Sequence, residues 1–302
     1  MRFRSTVPPQ SAGLSLSRYL ARRFTYHSEQ EWIGHIVEGR VLVSGGRAPA
    51  ERAVAAGEEV TYDAAPFEEP EADLAFTVVY EDERLIGVDK PGNLLVHRAG
   101  KAFTRNLVYQ IRSGASGPAW PEAAAANRLD RETSGVVILV KRSGDVRRVT
   151  MALAAESAEK RYVAVVAGQF DPQRREIDAP IGRDPASPLA YRHAVRPDGK
   201  PARTRVLSVE HREGYSIVRL APVTGRTHQI RLHCASVGCP IVGDRLYGRP
   251  GDRELLARQA LHCERIAFTH PWTRQPCVIE APVPEDMLGL IRRLGPGHGV
   301  ME

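Results

Sequence analysis

The chain has 302 residues, enough for a sizeable core and two domains. It carries 42 Lys plus Arg against 36 Asp plus Glu, a formal +6, and lacks the run of about 18 apolar residues that a membrane-spanning helix needs. Ten of those carboxylates and no Lys or Arg fall in residues 53–83, which leaves a formal +16 elsewhere and favours a polyanionic partner over a neutral metabolite.

Residues 1–11 read as an N-terminal tail without the apolar centre of a signal peptide, so a cytoplasmic protein is expected. Cys234, Cys239, Cys263 and Cys277 contain no Cys-x-x-Cys pair and read as reduced thiols.

Residues 12–63 form a small module of their own. Leu14, Leu16, Tyr19, Leu20 and Phe24 give a helix an apolar face, with Arg18, Arg22 and Arg23 between them. Ser28 and Glu31 have the spacing of a capping box and open a second helix, whose buried stripe is Trp32, Ile33, Ile36 and Val37. Gly39 stops it, Val41 and Val43 alternate into the Ser44-Gly45-Gly46 turn, and Val60 and Tyr62 suggest a closing strand. Residues 64–75 are rich in Pro, Ala and Glu and read as an acidic linker that adds nothing to a core.

A larger domain is expected over residues 76–295, followed by a tail at 296–302. Phe76–Tyr80 and Leu85–Val88 are strands, and Lys90-Pro91-Gly92 forces a turn after them. Leu107, Val108 and Ile111 mark a helix. The turn Asn127-Arg128-Leu129-Asp130-Arg131-Glu132-Thr133-Ser134-Gly135 then feeds the continuous apolar run Val136–Val140, which reads as a strand buried on both faces. Charged groups on a turn fixed to such a strand are held rigidly, although Asp130 and Thr133 also suit simple backbone capping. Val146, Val149 and Leu153 give a helix, Tyr162–Val166 a strand, and Ala202–Glu210 and Tyr215–Leu220 two more. Gly225–Val237 reads as a loop entering a helix, Leu261–Phe268 and Cys277–Ala281 as the last strands, and Met287–Leu294 as a terminal helix. The fold class is α+β: a bent, mostly antiparallel sheet with flanking helices and a central cleft.

Arg128-Leu129-Asp130-x-x-Thr133-Ser134-Gly135 resembles the signature of the RluA-type pseudouridine synthases, which isomerise uridine in RNA to its C5-glycoside. Asp89-Lys90-Pro91-Gly92, Leu95-Val96-His97, Lys160-Arg161-Tyr162, Thr224–Arg231, Pro240–Asp244 with Tyr247-Gly248, and Leu261-His262-Cys263 fit the same family in the right order. The signature commonly begins with His, and here Asn127 stands in that place. Residues 12–63, with Glu38-Gly39-Arg40-Val41-Leu42-Val43, resemble the S4 RNA-binding module that family members often carry.

The resemblance implies an isomerase that works without cofactor or metal on RNA, with large-subunit ribosomal RNA the first expectation, transfer RNA the second, and a monomer as the working state. Moving C1′ from N1 to C5 of uracil conserves oxidation level, and one carboxylate acting as nucleophile or base suffices. The family pattern gives that role to Asp130, its guanidinium partner to Arg231 and the ring beside the uracil to Tyr162. It puts Arg128 in the gap left by the flipped nucleotide, and Lys160 and Arg226 at phosphates; Arg18, Arg22 and Arg23 would serve the small module. Competing chemistries lack their parts: Glu132 stands where a carboxylate-nucleophile phosphatase has a second Asp, and no nucleotide-binding glycine loop is present. His228 and His233 at a spacing of five share a helix face poorly as zinc ligands. The remaining alternative is a non-catalytic S4-type RNA-binding or ribosome-assembly protein.

Overall fold

The computed structural model describes residues 2–64, 68–115, 117–189, 191–296 and 298–301. They form two compact units, one of residues up to Pro70 together with Arg98–Thr104, the other of Glu71–His97 with the residues from Arg105 on. In the linker expected at 64–75, residues 65–67 lie outside the described residues, as do Met1 of the N-terminal tail and Gly297 and Glu302 of the C-terminal one.

The first unit contains β1 (Arg2–Thr6), α1 (Leu16–Arg23), α2 (Glu29–Val37), β2 (Val41–Val43) and β3 (Glu59–Asp63). Ser15 caps α1, and the Ser28–Glu31 box closes on itself at the start of α2, as its spacing predicts. Leu16, Leu20, Trp32, Ile36, Val41 and Val60 make the core between the helices and the sheet. Residues 2–6 are a correction to the expected tail. They pair antiparallel with β3, and Arg2 forks onto Asp63 at 2.7 and 2.8 Å. Phe3 lies on the Tyr62 ring and Val7 is buried, so the segment has apolar anchors that a tail would lack.

The second unit opens with the hairpin β4 (Thr77–Glu81) and β5 (Leu85–Lys90), then α3 (Leu107–Ser113) and β6 (Ala124–Ala125). Next come β7 (Ser134–Val140), α4 (Val146–Ala154) and β8 (Glu159–Ala167). Short strands β9 (Glu176–Asp178), β10 (Ile181–Arg183) and β11 (His193–Val195) precede the hairpin β12 (Arg203–Arg212) and β13 (Tyr215–Pro222). The remainder is α5 (Gln229–Ser236), α6 (Asp252–Leu255), β14 (Leu261–Thr269), β15 (Pro276–Glu280), α7 (Glu285–Arg293) and β16 (His298–Met301). Two expectations need correcting. His298–Met301, assigned to a tail, pairs with β12 through its backbone. Residues 68–75 have no regular secondary structure, yet Ala72 and Leu74 pack against the core, because two apolar side chains suffice to hold an extended segment down.

Among the described residues the main sheet has the order β16-β12-β13-β8-β14-β7-β5-β4, with β15, β6 and β9 pairing beside this path. Its pairs are antiparallel except β14 with β7. Every residue of β7 is buried, and burying each Val, Ile or Leu there contributes roughly 1.5–3 kcal/mol. The parallel pairing sets His262 opposite Ser134 and Cys263 opposite Gly135. Gly135 has φ +109, and a Cβ on it would meet the Cys263 carbonyl oxygen at 2.2 Å. Only glycine lets the turn before β7 close against β14.

Candidate active site

The turn at 127–133 is fastened to the sheet by bonds that never use the Asp130 carboxylate. Asn127 accepts from the Ile138 amide at 2.7 Å and donates to the Val136 carbonyl at 3.2 Å, so its side chain acts as a short extra strand on β7. Thr133 and Ser134 are buried; Gln259 donates to the Thr133 hydroxyl, and Ser134 Oγ lies 2.9 Å from His262 Nδ1. The backbone closes through the Thr133 amide and the Asp130 carbonyl at 3.2 Å. Asp130 therefore has a fixed backbone and a carboxylate that caps no backbone amide of its own turn. That side chain is 32% exposed.

Lys90 fixes the same turn from beneath. It is 0% exposed, and Nζ donates to the carbonyls of Pro91 at 2.7 Å, Leu94 at 2.8 Å and Arg131 at 3.2 Å. Burial, with Arg258 adding, pulls its pKa down to about 7, against the opposing charges of Asp130 and Asp89. Three carbonyls match the three N–H groups of the ammonium form.

Arg231 arrives from α5, 101 positions away in sequence, and is 6% exposed. Its Nη1 donates to Asp130 Oδ2 at 2.7 Å, while Nε and Nη2 fork onto Asp244 at 2.7 and 2.8 Å. Burial works against the guanidinium charge, but Asp244 and then Asp130 outweigh it, so its pKa lies above the ordinary value. Asp244 Oδ1 also accepts the Leu246 and Tyr247 amides at 2.9 and 3.2 Å, which makes the buried carboxylate a fixed anchor. Gly243 before it has φ +75 and backs onto the Arg258 carbonyl oxygen, 2.1 Å from where a Cβ would stand. The Arg231 guanidinium lies 5.1 Å from the Tyr247 ring centre.

The other expected site residues divide by place. Tyr162 is half-buried on β8, opposite Cys263 on β14, and touches both halves of the core. Burial first, then Cys263 and Asp130, raise its phenol pKa well above the ordinary value, so it stays protonated at neutral pH. Lys160, two residues before it, is half-buried, and burial lowers its pKa. Arg128 is exposed two residues before Asp130. Arg226 is exposed and donates to the Pro201 carbonyl at 2.9 Å. Arg18, Arg22 and Arg23 belong to α1 of the first unit; Arg18 faces Glu29 at 3.8 Å and Arg23 lies over the Phe24 ring at 5.5 Å.

Four residues around Asp130 had no assigned role in the sequence: Lys90, Asp244, His228 and Tyr247. Gly243-Asp244 with Tyr247-Gly248 was legible as a motif, but a carboxylate's buried partner is not. Of the histidine pair considered for zinc, His233 uses Nδ1 on Thr204 at 2.9 Å and Nε2 on Ala179 at 3.0 Å, which leaves it no nitrogen for a metal.

The arrangement is one partly exposed carboxylate held by a buried guanidinium beside a protonated phenol, a set suited to nucleophilic or base chemistry at a bound substrate. Residues 84–236 match the family described as RNA pseudouridylate synthase. The ribosomal large subunit pseudouridine synthase D of Neisseria meningitidis serogroup A is 34% identical over 302 residues, covering 95% of this chain and 80% of that relative. The protein of the same name from Nitrosomonas europaea is 32% identical over 301 residues, covering 96% and 87%. The solved structure of human RNA pseudouridylate synthase domain containing 1 covers 78% of this chain and 94% of its own, at 24% identity and a TM-score of 0.61.

Proposed function

The chain belongs to the RNA pseudouridylate synthase family, isomerases that convert uridine in RNA to pseudouridine, and from that premise we propose that it modifies large-subunit ribosomal RNA with Asp130 as its catalytic carboxylate. The observation that carries the reading is the Asp130–Arg231 pair at 2.7 Å, on a turn fastened through the Asn127 side chain, the Asp130, Arg131 and Glu132 carbonyls and the Thr133 amide. The target RNA is supported by the names of relatives that align along nearly the whole chain.

In the reaction the N1–C1′ bond breaks, the uracil turns, and C5 bonds to C1′. C5 gives up its proton and N1 gains one, so atoms and oxidation level are conserved and no cofactor is required. Asp130 works at C1′ as nucleophile or at C2′ as base. Arg231 aims it, and because Arg231 is anchored by Asp244 that aim is set from both edges of the guanidinium. Tyr162, protonated throughout the neutral range, offers a ring to the uracil and a hydroxyl for proton transfer at C5. Arg128 fills the stack vacated by the flipped nucleotide, an exchange that offsets part of an unstacking cost of a few kcal/mol. Lys160 and Arg226 serve phosphates, and residues 12–63 act as an S4-like RNA-binding module through Arg18, Arg22 and Arg23.

The test is a transcript-wide pseudouridine map from cells with and without this protein. Loss of one or a few sites in large-subunit ribosomal RNA supports the proposal. Loss confined to transfer RNA moves the substrate, and an unchanged map favours a non-catalytic RNA-binding protein.

A further inference from the structure

His228 stands between the Gly225–Thr227 loop and α5 with φ +56. A residue other than glycine is uncommon there, and such backbone persists where its surroundings over-determine it, as at functional sites. Gln229 supplies the constraint: its side-chain oxygen accepts from the Arg226 amide and the Thr224 hydroxyl, and its Nε2 donates to the Arg203 carbonyl. The ring is thereby aimed at the catalytic carboxylate. Its side chain is 10% exposed, and Nε2 lies 3.9 Å from Asp130 Oδ2.

The neighbouring bonds fix which nitrogen carries the hydrogen. Tyr247 Oη accepts the His193 amide at 3.1 Å and lies 2.9 Å from His228 Nδ1. Among the described residues Nδ1 is the one acceptor within reach of the phenol's own proton, so the phenol donates to Nδ1 and the neutral ring carries hydrogen on Nε2. Burial, opposed by Asp130 and assisted by Arg231 and His193, lowers the His228 pKa to about 4, so the ring is neutral at pH 7. At 3.9 Å the Nε2–H is not bonded to Asp130, whose Oδ2 is held by Arg231. Among the described residues this donor has no acceptor.

We propose that His228 is a further substrate-contacting residue, whose Nε2–H donates a hydrogen bond to the ribose 2′-hydroxyl of the target nucleotide. The inference rests on the reading of Asp130 as the group that works at C1′ and C2′. A carboxylate at those carbons brings the 2′-hydroxyl, one bond from C2′, to the side of Oδ2 that His228 faces. The uracil turns during the reaction and would break any bond made to it, whereas the ribose stays. The 2′-hydroxyl is also the group that distinguishes RNA from DNA, so the contact makes His228 a specificity-determining residue.

The experiment uses the full chain and a ribosomal RNA fragment carrying either uridine or 2′-deoxyuridine at the mapped target. Single-turnover rates and RNA affinities are measured for wild type, His228→Asn and Tyr247→Phe. Asn tolerates the left-handed backbone but is too short to reach, and Tyr247→Phe keeps the histidine while removing the phenol that orients it. Wild type should lose about tenfold in rate on the 2′-deoxy substrate, the worth of one hydrogen bond. His228→Asn should turn over both substrates within about twofold of each other, at the wild-type rate for the 2′-deoxy substrate, and Tyr247→Phe should discriminate by less than about threefold. No discrimination by wild type, undiminished discrimination by His228→Asn, or equal losses on both substrates in both variants would overturn the proposal. Failure of the underlying Asp130 reading would show separately, as turnover of uridine by Asp130→Asn.

Discussion

Arg231 reaches Asp130 with Nη1 alone, because its other edge is locked onto Asp244. The carboxylate proposed to be catalytic is thus aligned by a guanidinium that is itself bonded along its other edge. Arg231→Lys puts a point charge where a fork bridged two carboxylates, so its single-turnover rate should fall about tenfold to a hundredfold with less change in KM. Arg231→Met should fall further. An unchanged rate in Arg231→Met would show that Asp130 needs no guanidinium.

Asp244 acts one step further back. Asp244→Asn keeps an acceptor for the Leu246 and Tyr247 amides but removes the charge facing Arg231. Its rate should fall about tenfold while the fold holds, whereas Asp244→Ala should also lose about 3–5 kcal/mol of stability, because a buried guanidinium is left half-paired. Urea unfolding and single-turnover kinetics on the two variants separate these effects. Equal rates in wild type and Asp244→Asn would make Asp244 a purely structural residue.

Much of this frame was legible in the sequence, and the reasons differ by element. β7 announces itself because five consecutive apolar residues after a polar turn have one economical use. α2 does so because Ser28 and Glu31 satisfy each other's backbone groups locally. The Asp130–Arg231 pair spans 101 positions and could be anticipated only through family resemblance. Lys90, Asp244 and His228 gain their meaning from contacts no local pattern encodes. β1 is not legible because Arg2–Thr6 holds a single apolar residue, Phe3, and its partner strand begins only at Glu59.

Lys90 supplies a direct test of how the turn is held. Lys90→Met removes a buried ammonium, which relieves desolvation, and takes a donor from three carbonyls, of which Arg131 alone keeps another in the Leu94 amide. These effects oppose each other, so stability should change by no more than about 2 kcal/mol. The rate should nonetheless fall more than about tenfold, because the Arg131 carbonyl beside Asp130 keeps only the Leu94 amide at 3.1 Å. A wild-type rate in a folded Lys90→Met protein would show that the turn holds itself.

His262 makes the fold sensitive to acid. Burial lowers its pKa to about 4, and it stays neutral between Ser134 and the Ala281 carbonyl. In the unfolded chain the ring protonates near pH 6.5, so as pH falls from there to about 4 the unfolded state binds a proton that the folded state refuses. Stability should decline by about 1.4 kcal/mol per pH unit over that window from this group and be unaffected by it above pH 6.5. Thermal unfolding against pH checks this, with His262→Gln flattening the slope. A slope identical in His262→Gln would assign the acid sensitivity to other groups.

The small first unit should contribute charge to RNA binding. Arg22 and Arg23 are exposed on α1, whereas Arg18 faces Glu29. Arg22→Glu with Arg23→Glu in the full chain should weaken RNA binding about tenfold and reduce its dependence on log salt by about one to two units, while the single-turnover rate at saturating enzyme holds. Unchanged affinity and salt slope would end the S4-like reading of residues 12–63.

The central claim is that Asp130 performs the chemistry, and the most direct measurement is single-turnover pseudouridine formation by Asp130→Asn with RNA affinity measured on the same preparation. The exchange keeps the size of the side chain and the bonds that fasten its turn, none of which involve the carboxylate. The rate should fall by about a thousandfold or more while affinity stays within about threefold of wild type. Turnover near the wild-type rate by a verified Asp130→Asn preparation would contradict the assignment and the mechanism built on it.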